Sequence, residues 1–182
     1  MEPLNSRLPL MALVGNHEIE LDNRTHQAFV PWRHRFVMPG VAQESTLPTS
    51  NYDDKAAYHK YALDIKYDGG SSYYSFETGL LHCVCLNTYN THADLHSTVA
   101  TATATRMINA QREWLEKDLK SVDRQKTPFV PVFMHGPFYN SNKGHQNEVA
   151  TLLMKAWAEP LFREHGVDAV FAGHVHAYER NT

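Results

Sequence analysis

The chain has 182 residues, of which 42% are hydrophobic and 20% charged, a composition typical of one globular domain with a sizeable core. The formal net charge of −3 excludes a strongly basic surface for nucleic acid. No apolar run approaches the roughly 20 residues of a membrane helix, and the N-terminus lacks the features of a signal peptide. We therefore expect a single domain without nucleic-acid or membrane partners.

The first predicted element is a strand over residues 8–14, an apolar run that stops at a polar cluster. Two further strands over 72–77 and 80–86 form a predicted hairpin with its turn at Thr78-Gly79. The polar stretches 38–70 and 87–105 are predicted to be long loops. The two cysteines, Cys83 and Cys85, share one face of a strand and are interpreted as buried thiols, because strand geometry disfavours a bridge between them.

Helices and strands alternate in the second half of the chain. Helices are predicted over 106–122 and 148–165 from their apolar periodicity, and strands over 129–134 and 167–172. Gly166 is predicted to end the second helix, and Pro160 to kink it or to start another. This order predicts parallel strands joined by helical crossovers, and hence an α/β fold.

Three of the predicted strands stop at side chains of types that can bind metal ions. The run 8–14 leads into Asn16, the run 129–134 into His135, and the run 167–172 into His174-Val175-His176. Ligands of α/β sheets bind beyond the carboxyl ends of the strands, so we expect these groups to converge. Imidazole and amide oxygen suit zinc, manganese or ferrous iron.

The two histidines that flank Val175 allow two interpretations. Alternate residues of an extended loop present both imidazoles to one side, so His174 and His176 would each face one of two ions about 3.5–4 Å apart. The alternative is a pair of exposed histidines in a surface turn.

The motifs GNHE (15–18), MHGPFYNSN (134–142) with a downstream histidine, and AGHVHAYER (172–180) occur in this order and resemble the purple acid phosphatases of the metallophosphoesterase superfamily. The segments 111–142 and 72–88 and the motif RFVMPG (35–40) are similar to that family as well. The resemblance implies part of an α-β-β-α sandwich, with mixed sheets, flanking helices and metal ligands at the C-terminal ends of strands. It also implies acid phosphatase activity, in which a metal-bound hydroxide hydrolyses a small phosphate monoester.

Carried over residue by residue, the resemblance implies a binuclear centre of Fe(III) and a divalent ion (Zn, Mn or Fe). Asn16, His135 and His174 match the ligands of the divalent ion, and His176 matches a ligand of the ferric ion.

Two further histidines, His17 and His145, match groups that contact the phosphate and protonate the leaving group. Many relatives carry another histidine where this chain has Gly144, so His17 is expected to be the acid. A histidine acid suits an acidic compartment, and the resemblance implies a secreted, extracellular or vacuolar/lysosomal glycoprotein. The one sequon is Asn23-Arg24-Thr25.

Three ligands of the family's metal centre, two aspartates and a tyrosine, lie upstream of GNHE, and residues 1–15 contain neither residue type. We therefore expect residues 1–182 to be one partial catalytic domain, truncated at both ends, that retains mainly the divalent site. The alternatives are a truncated, non-catalytic paralogue that binds one divalent metal or phosphate, and a related phosphodiesterase. The sequence gives no indication of the oligomeric state.

Overall fold

Four strands of the chain form one mixed sheet with two long helices beside it. The computed structural model describes residues 7–19, 21–22, 27–36, 38, 72–89 and 98–182. The strands are β1 Leu21–Asp22, β2 Gln27–Ala28, β3 Tyr74–Thr78, β4 Leu81–Cys85, β5 Pro131–Met134 and β6 Ala169–Ala172. The helices are α1 Val30–Arg35, α2 Thr98–Ser121 and α3 Val149–Glu164.

The sheet has the strand order β3-β4-β5-β6. β3 and β4 form an antiparallel hairpin, whereas β4, β5 and β6 are parallel. Helices α2 and α3 make the two crossovers between the parallel strands. The predicted hairpin, the parallel crossovers and the α/β fold class are confirmed. The only other sheet within the described ranges is the short antiparallel ribbon of β1 and β2.

The main core lies between the sheet and helices α2 and α3. Its buried residues are Val84, Leu86, Leu115, Leu119, Val130, Val132, Met134, Met154, Ala158, Leu161 and Phe162. Residues spaced three or four apart on each helix meet alternate residues of the strands, as the two periodicities require. Burying each large aliphatic or aromatic side chain stabilises the fold by about 1.5–3 kcal/mol, so this core fixes the positions of β4 and β5.

Helix α2 is also attached to the hairpin through Asp118. Its two carboxylate oxygens accept hydrogen bonds from the hydroxyl of Ser75 at 2.6 Å and from Nε2 of His82 at 2.9 Å. Ser75 lies on β3 and His82 on β4, so one carboxylate joins both strands to the helix. Because His82 and Asp118 are only 8% and 13% exposed, water screens this pair little.

Cys83 and Cys85 are buried free thiols, as predicted. Their side chains lie on the face of β4 that carries the partners Phe76 and Tyr74 of β3. Burial raises the pKa of Cys85 to about 11. The thiol therefore keeps its proton at neutral pH and has little nucleophilic character.

The prediction of a strand over residues 8–14 is wrong. The backbone polar groups of Ala12 bond to side chains instead of to a neighbouring strand: its N–H donates to the Met38 sulfur at 3.2 Å, and its carbonyl accepts from the Tyr74 hydroxyl at 2.6 Å. Leu8 and Leu10 are exposed, while Val14 is fully buried. Val14 belongs to a second apolar cluster, which comprises Val14, Phe29, Trp32 and Tyr89.

The predicted helices are confirmed, with an earlier start for α2 and an uninterrupted α3. Helix α2 begins at Thr98, inside the predicted loop 87–105, because adding residues to an existing helix costs far less than nucleating one. Pro160 lies inside the continuous helix α3 and does not divide it. Gly166 ends α3 in a left-handed conformation with φ of 64°, as predicted. Apart from Met38, the loop predicted over 38–70 lies outside the described residues.

No helix in the described part of the chain combines the length and the apolar character needed to cross a membrane.

Candidate metal centre

His135 and His174 lie side by side at the carboxyl ends of the neighbouring parallel strands β5 and β6. The pairing of the strands continues one step beyond them, because the Gly173 N–H donates to the His135 carbonyl at 3.0 Å. The two imidazole rings are 5.1 Å apart between centroids. The sheet register thus places two nitrogen donors at one edge.

Asn16 reaches His135 from a 3-10 turn that spans Asn16–Glu18. Its Oδ1 lies 2.9 Å from Nε2 of His135. Gly15 permits this approach, because a Cβ there would lie 3.0 Å from Cε1 of His135 and 2.8 Å from Oε2 of Glu18. The same Glu18 oxygen accepts the Gly15 N–H at 2.8 Å and so fixes the turn.

His174 points its Nε2 at Glu148, not at the Asn16–His135 pair. Oε1 of Glu148 lies 2.8 Å from this nitrogen and 2.6 Å from Nδ1 of His145. The rings of His145 and His174 meet edge to face with their centroids 4.7 Å apart. The four predicted side chains Asn16, His135, His145 and His174 therefore form one continuous cluster, with Glu148 as a fifth member.

His174 occupies a strained backbone position, with φ of 65°. It is the central residue of a three-residue γ-turn, in which the Val175 N–H donates to the Gly173 carbonyl at 2.7 Å. A second such turn follows, from the Ala177 N–H to the Val175 carbonyl at 2.7 Å. A left-handed conformation costs a residue with a Cβ about 1–2 kcal/mol, and such strain concentrates at functional sites.

Glu179 links the loop after β6 to the loop after β5. Its Oε2 accepts hydrogen bonds from the backbone N–H of Ser141 at 2.8 Å and from the Ser141 hydroxyl at 3.0 Å. Because His145 lies four residues beyond Ser141, this contact also limits where His145 can lie relative to His174.

The environment favours neutral imidazole at His135 and a charged carboxylate at Glu148. Burial lowers the pKa of His135, and the nearby imidazole of His174 lowers it further. For Glu148, burial acts to raise the pKa, but hydrogen bonds from His174 and His145 outweigh burial and lower it. Both groups are thus in the protonation state that metal binding requires.

Tyr89 packs against the rings of His135 and His174. Its ring centroid lies 5.8 Å from that of His135 and 6.4 Å from that of His174, and the side chain is buried. Burial raises the pKa of the Tyr89 hydroxyl, and the carboxylates of Glu148 and Glu18 raise it further.

The other two predicted site residues lie at the surface. His17 is exposed on the 3-10 turn beside Asn16, and His176 is exposed in the second γ-turn. Among the described residues, one group of three His, Cys, Asp or Glu side chains has the spacing of a metal site, and His176 is not part of it. The roles of His17 and His176 remain predictions.

The residues present fit a divalent ion better than a ferric ion. Amide oxygen and imidazole nitrogen are ligands for borderline divalent metals, and Asn16 Oδ1 and His135 Nε2 already lie 2.9 Å apart. A ferric ion needs anionic oxygen ligands, and within the described part of the chain none accompanies His176 in a ligand group.

Sequence reasoning missed Glu148, Tyr89 and Glu18. Glu148 lies three residues after His145 and directly before the apolar periodicity of α3, so an acidic residue near a candidate ligand was visible in the sequence. Tyr89 lies four residues after the end of β4, whereas His135 directly follows β5. Glu18 belongs to the GNHE motif itself.

Comparison of the sequence with known proteins identifies one family. Residues 1–178 match the calcineurin-like phosphoesterase family. "Probable purple acid phosphatase 20" of Arabidopsis thaliana is 34% identical over 183 residues, which are 99% of this chain and 34% of that relative. A purple acid phosphatase of Glycine max is 32% identical over 175 residues, which are 95% of this chain and 30% of the relative.

Among solved structures, a purple acid phosphatase from yellow lupin seeds aligns with a TM-score of 0.41 and 22% identity, over 64% of this chain and 19% of that one. The chain spans about a third of the length of the curated relatives it matches.

Proposed function

The chain belongs to the calcineurin-like phosphoesterase family, and from this premise we propose that it forms part of a metal-dependent acid phosphatase that hydrolyses phosphate monoesters. The observation that carries the proposal is the convergence of Asn16, His135, His145 and His174 at one edge of the sheet. The Asn16–His135 contact is 2.9 Å, and the His135–His174 and His145–His174 ring centroids are 5.1 and 4.7 Å apart. The names of the relatives support the same activity.

In this proposal, Asn16, His135 and His174 hold the divalent ion. When bound, the ion supplies Lewis-acid polarisation of a phosphate oxygen and lowers the pKa of water. The protein contributes placement of the ligands: β5 and β6 position the two imidazoles, and the turn at Gly15 lets the amide approach them.

We assign acid assistance to His17 and His145. His145 is half-buried and held by Glu148 at 2.6 Å, so its ring has a defined orientation toward the cluster. His17 is exposed beside Asn16, where a substrate arriving from solvent would meet it. A histidine donates a proton most effectively near its pKa, which suits an acidic compartment.

The remaining features are proposed on the resemblance alone. They are a ferric ion at His176 beside the divalent ion (zinc, manganese or iron), a small phosphate ester as substrate, and a secreted or vacuolar/lysosomal glycoprotein. The sequon at Asn23 lies outside the described residues.

The test combines metal analysis with turnover of p-nitrophenyl phosphate and of bis-p-nitrophenyl phosphate. We expect His135→Ala to lose both the divalent ion and monoester turnover. His165→Gln is the matched control, because His165 caps the far end of α3 and lies outside the cluster. Unchanged metal content in His135→Ala would disprove the ligand assignment, and faster turnover of the diester would favour the phosphodiesterase alternative.

A second candidate function is binding of one divalent ion or phosphate without turnover. It is favoured by the position of His176, which is exposed and outside the ligand group found in the described residues. One tightly bound metal per chain without hydrolysis would support this candidate. Two metals with hydrolysis would exclude it.

A further inference from the structure

We infer that His145, Glu148 and His174 form a divalent-cation site in which Glu148 supplies an anionic ligand. The inference rests on the proposed function, because His174 belongs to both ligand sets. It changes one assignment of that proposal, since His145 becomes a ligand and the acid role passes to His17 alone. It adds a carboxylate to a centre whose other proposed ligands in this chain, Asn16 and His135, are neutral.

The three side chains have the spacing of a metal site. One ligand atom from each lies within 4.8 Å of the other two. Oε1 of Glu148 is 2.6 Å from Nδ1 of His145 and 2.8 Å from Nε2 of His174. Two imidazoles and one carboxylate form a known ligand set for zinc that leaves a coordination position open.

The carboxylate of Glu148 is directed at the histidines and away from its own helix. Glu148 is the N-cap residue of α3, a position where a side chain ordinarily accepts a hydrogen bond from the first helical amides. Its side chain makes no such bond. The nearby helix N-terminus favours a negative charge at this point.

A simple surface ion pair does not account for this arrangement. A pair between His145 and Glu148, three residues apart, would be ordinary on an exposed turn. However, His174 arrives from a different strand, 26 residues further along, and its side chain is only 10% exposed. Its backbone is held in a strained γ-turn that directs Nε2 at the same oxygen. Convergence of two segments on one carboxylate oxygen is typical of a ligand cluster.

The test is titration of the chain with CoCl₂ and with ZnCl₂, followed by calorimetry and by the visible absorption of bound cobalt. Glu148→Gln keeps the shape of the side chain and removes its charge. We expect it to weaken binding at least tenfold, a loss of about 1.4 kcal/mol, and to change the cobalt spectrum. Glu164→Gln, at the exposed C-terminal end of the same helix, should bind as the wild type does.

A second variant keeps the inference falsifiable if Glu148→Gln folds poorly. His145→Gln should also weaken cobalt binding and change its spectrum, since it removes a nitrogen donor. Far-UV circular dichroism and melting without metal establish that each variant is folded. Unchanged affinity and an unchanged cobalt spectrum in folded variants at both positions would overturn the inference. It would also be overturned if the wild type bound neither cobalt nor zinc at millimolar concentrations.

The outcomes separate this inference from the proposed function. If His135→Ala abolishes binding and Glu148→Gln does not weaken it, the inference is wrong and the proposed ligand set stands. If Glu148→Gln weakens binding and His135→Ala has no effect, the inference stands and the assignment of Asn16 and His135 fails.

Discussion

Replacement of Asp118 by asparagine is expected to remove the pH dependence of stability that His82 confers. The hydrogen bond that His82 donates to Asp118 raises the pKa of His82 above its ordinary value. Burial opposes this increase, and the charges of Asp118 and Glu77 add to it. In the wild type, His82 therefore stabilises the fold fully below the unfolded-state pKa of about 6.5, and this contribution is lost as the pH rises through the higher pKa of the folded state.

The size of the effect follows from the contact. A hydrogen bond to a charged group contributes about 1.5–3 kcal/mol, and a neutral one about 1 kcal/mol. The His82–Asp118 contact is 2.9 Å long and at most 13% exposed at either side chain, so solvent weakens it little. We expect Asp118→Asn to lower the free energy of unfolding by about 1.5–3 kcal/mol at pH 5.5 and by less at pH 8.5.

The assay is urea denaturation at pH 5.5 and pH 8.5, monitored by tryptophan fluorescence. The chain contains 12 histidines, so the informative quantity is the difference in unfolding free energy between variant and wild type at each pH. Glu113→Gln is the control, because it removes an exposed carboxylate from the same helix. If Asp118→Asn destabilises the chain equally at both pH values, the charged His82–Asp118 pair is not the source of the pH dependence, and the reasoning is refuted.

Three other variants test the supports of the site. Arg124→Met should lower the free energy of unfolding in urea by about 1–3 kcal/mol, because Arg124 donates hydrogen bonds to Asp168 and to three backbone carbonyls. Lysine cannot make the same set of bonds, so wild-type stability of Arg124→Lys would contradict this account. Gly136→Ala should lower it by about 1–3 kcal/mol in a melting experiment, since the new Cβ would lie 2.5 Å from Oγ1 of Thr151; an unchanged melting temperature would refute the packing argument. His174→Gly should be about 1 kcal/mol more stable than His174→Ala. Both variants lack the imidazole, but only glycine adopts the positive φ of this position without strain. Equal stability of the two variants would show that the turn is unstrained.

The predictable part of the fold is the part with clear periodicity. Leu115 and Leu119 on α2, and Leu161 and Phe162 on α3, belong to the predicted apolar stripes and are buried. At the start of α3 the prediction is wrong, because Val149 and Leu152 are exposed and Met154 is buried instead. The histidine after β5 and the one after β6 could be located because parallel strands end at the same edge of a sheet.

The segment 8–14 shows where pattern reasoning fails. Its apolar run is typical of a buried strand, but a strand also needs a partner, and Ala12 bonds to the side chains of Met38 and Tyr74 instead. These contacts span 26 and 62 residues, and no local pattern encodes them. Glu148 was missed for a similar reason, because its contact with His174 depends on the γ-turn that directs that imidazole.

The side-chain anchoring of residues 8–14 has a consequence for metal affinity. Within the described residues, this arm carries Asn16 and is held through Ala12 and Val14 without joining the sheet. Such an arm opens at a lower free energy than the sheet, so its amides should exchange with solvent before those of β5. An ion that binds Asn16 and His135 together binds only when residues 8–16 are docked against the sheet. Its measured affinity is therefore reduced by the free energy of docking, and its binding in turn stabilises the docked segment. The ion would then have a structural role, holding the N-terminal segment against the sheet, in addition to its proposed role in catalysis.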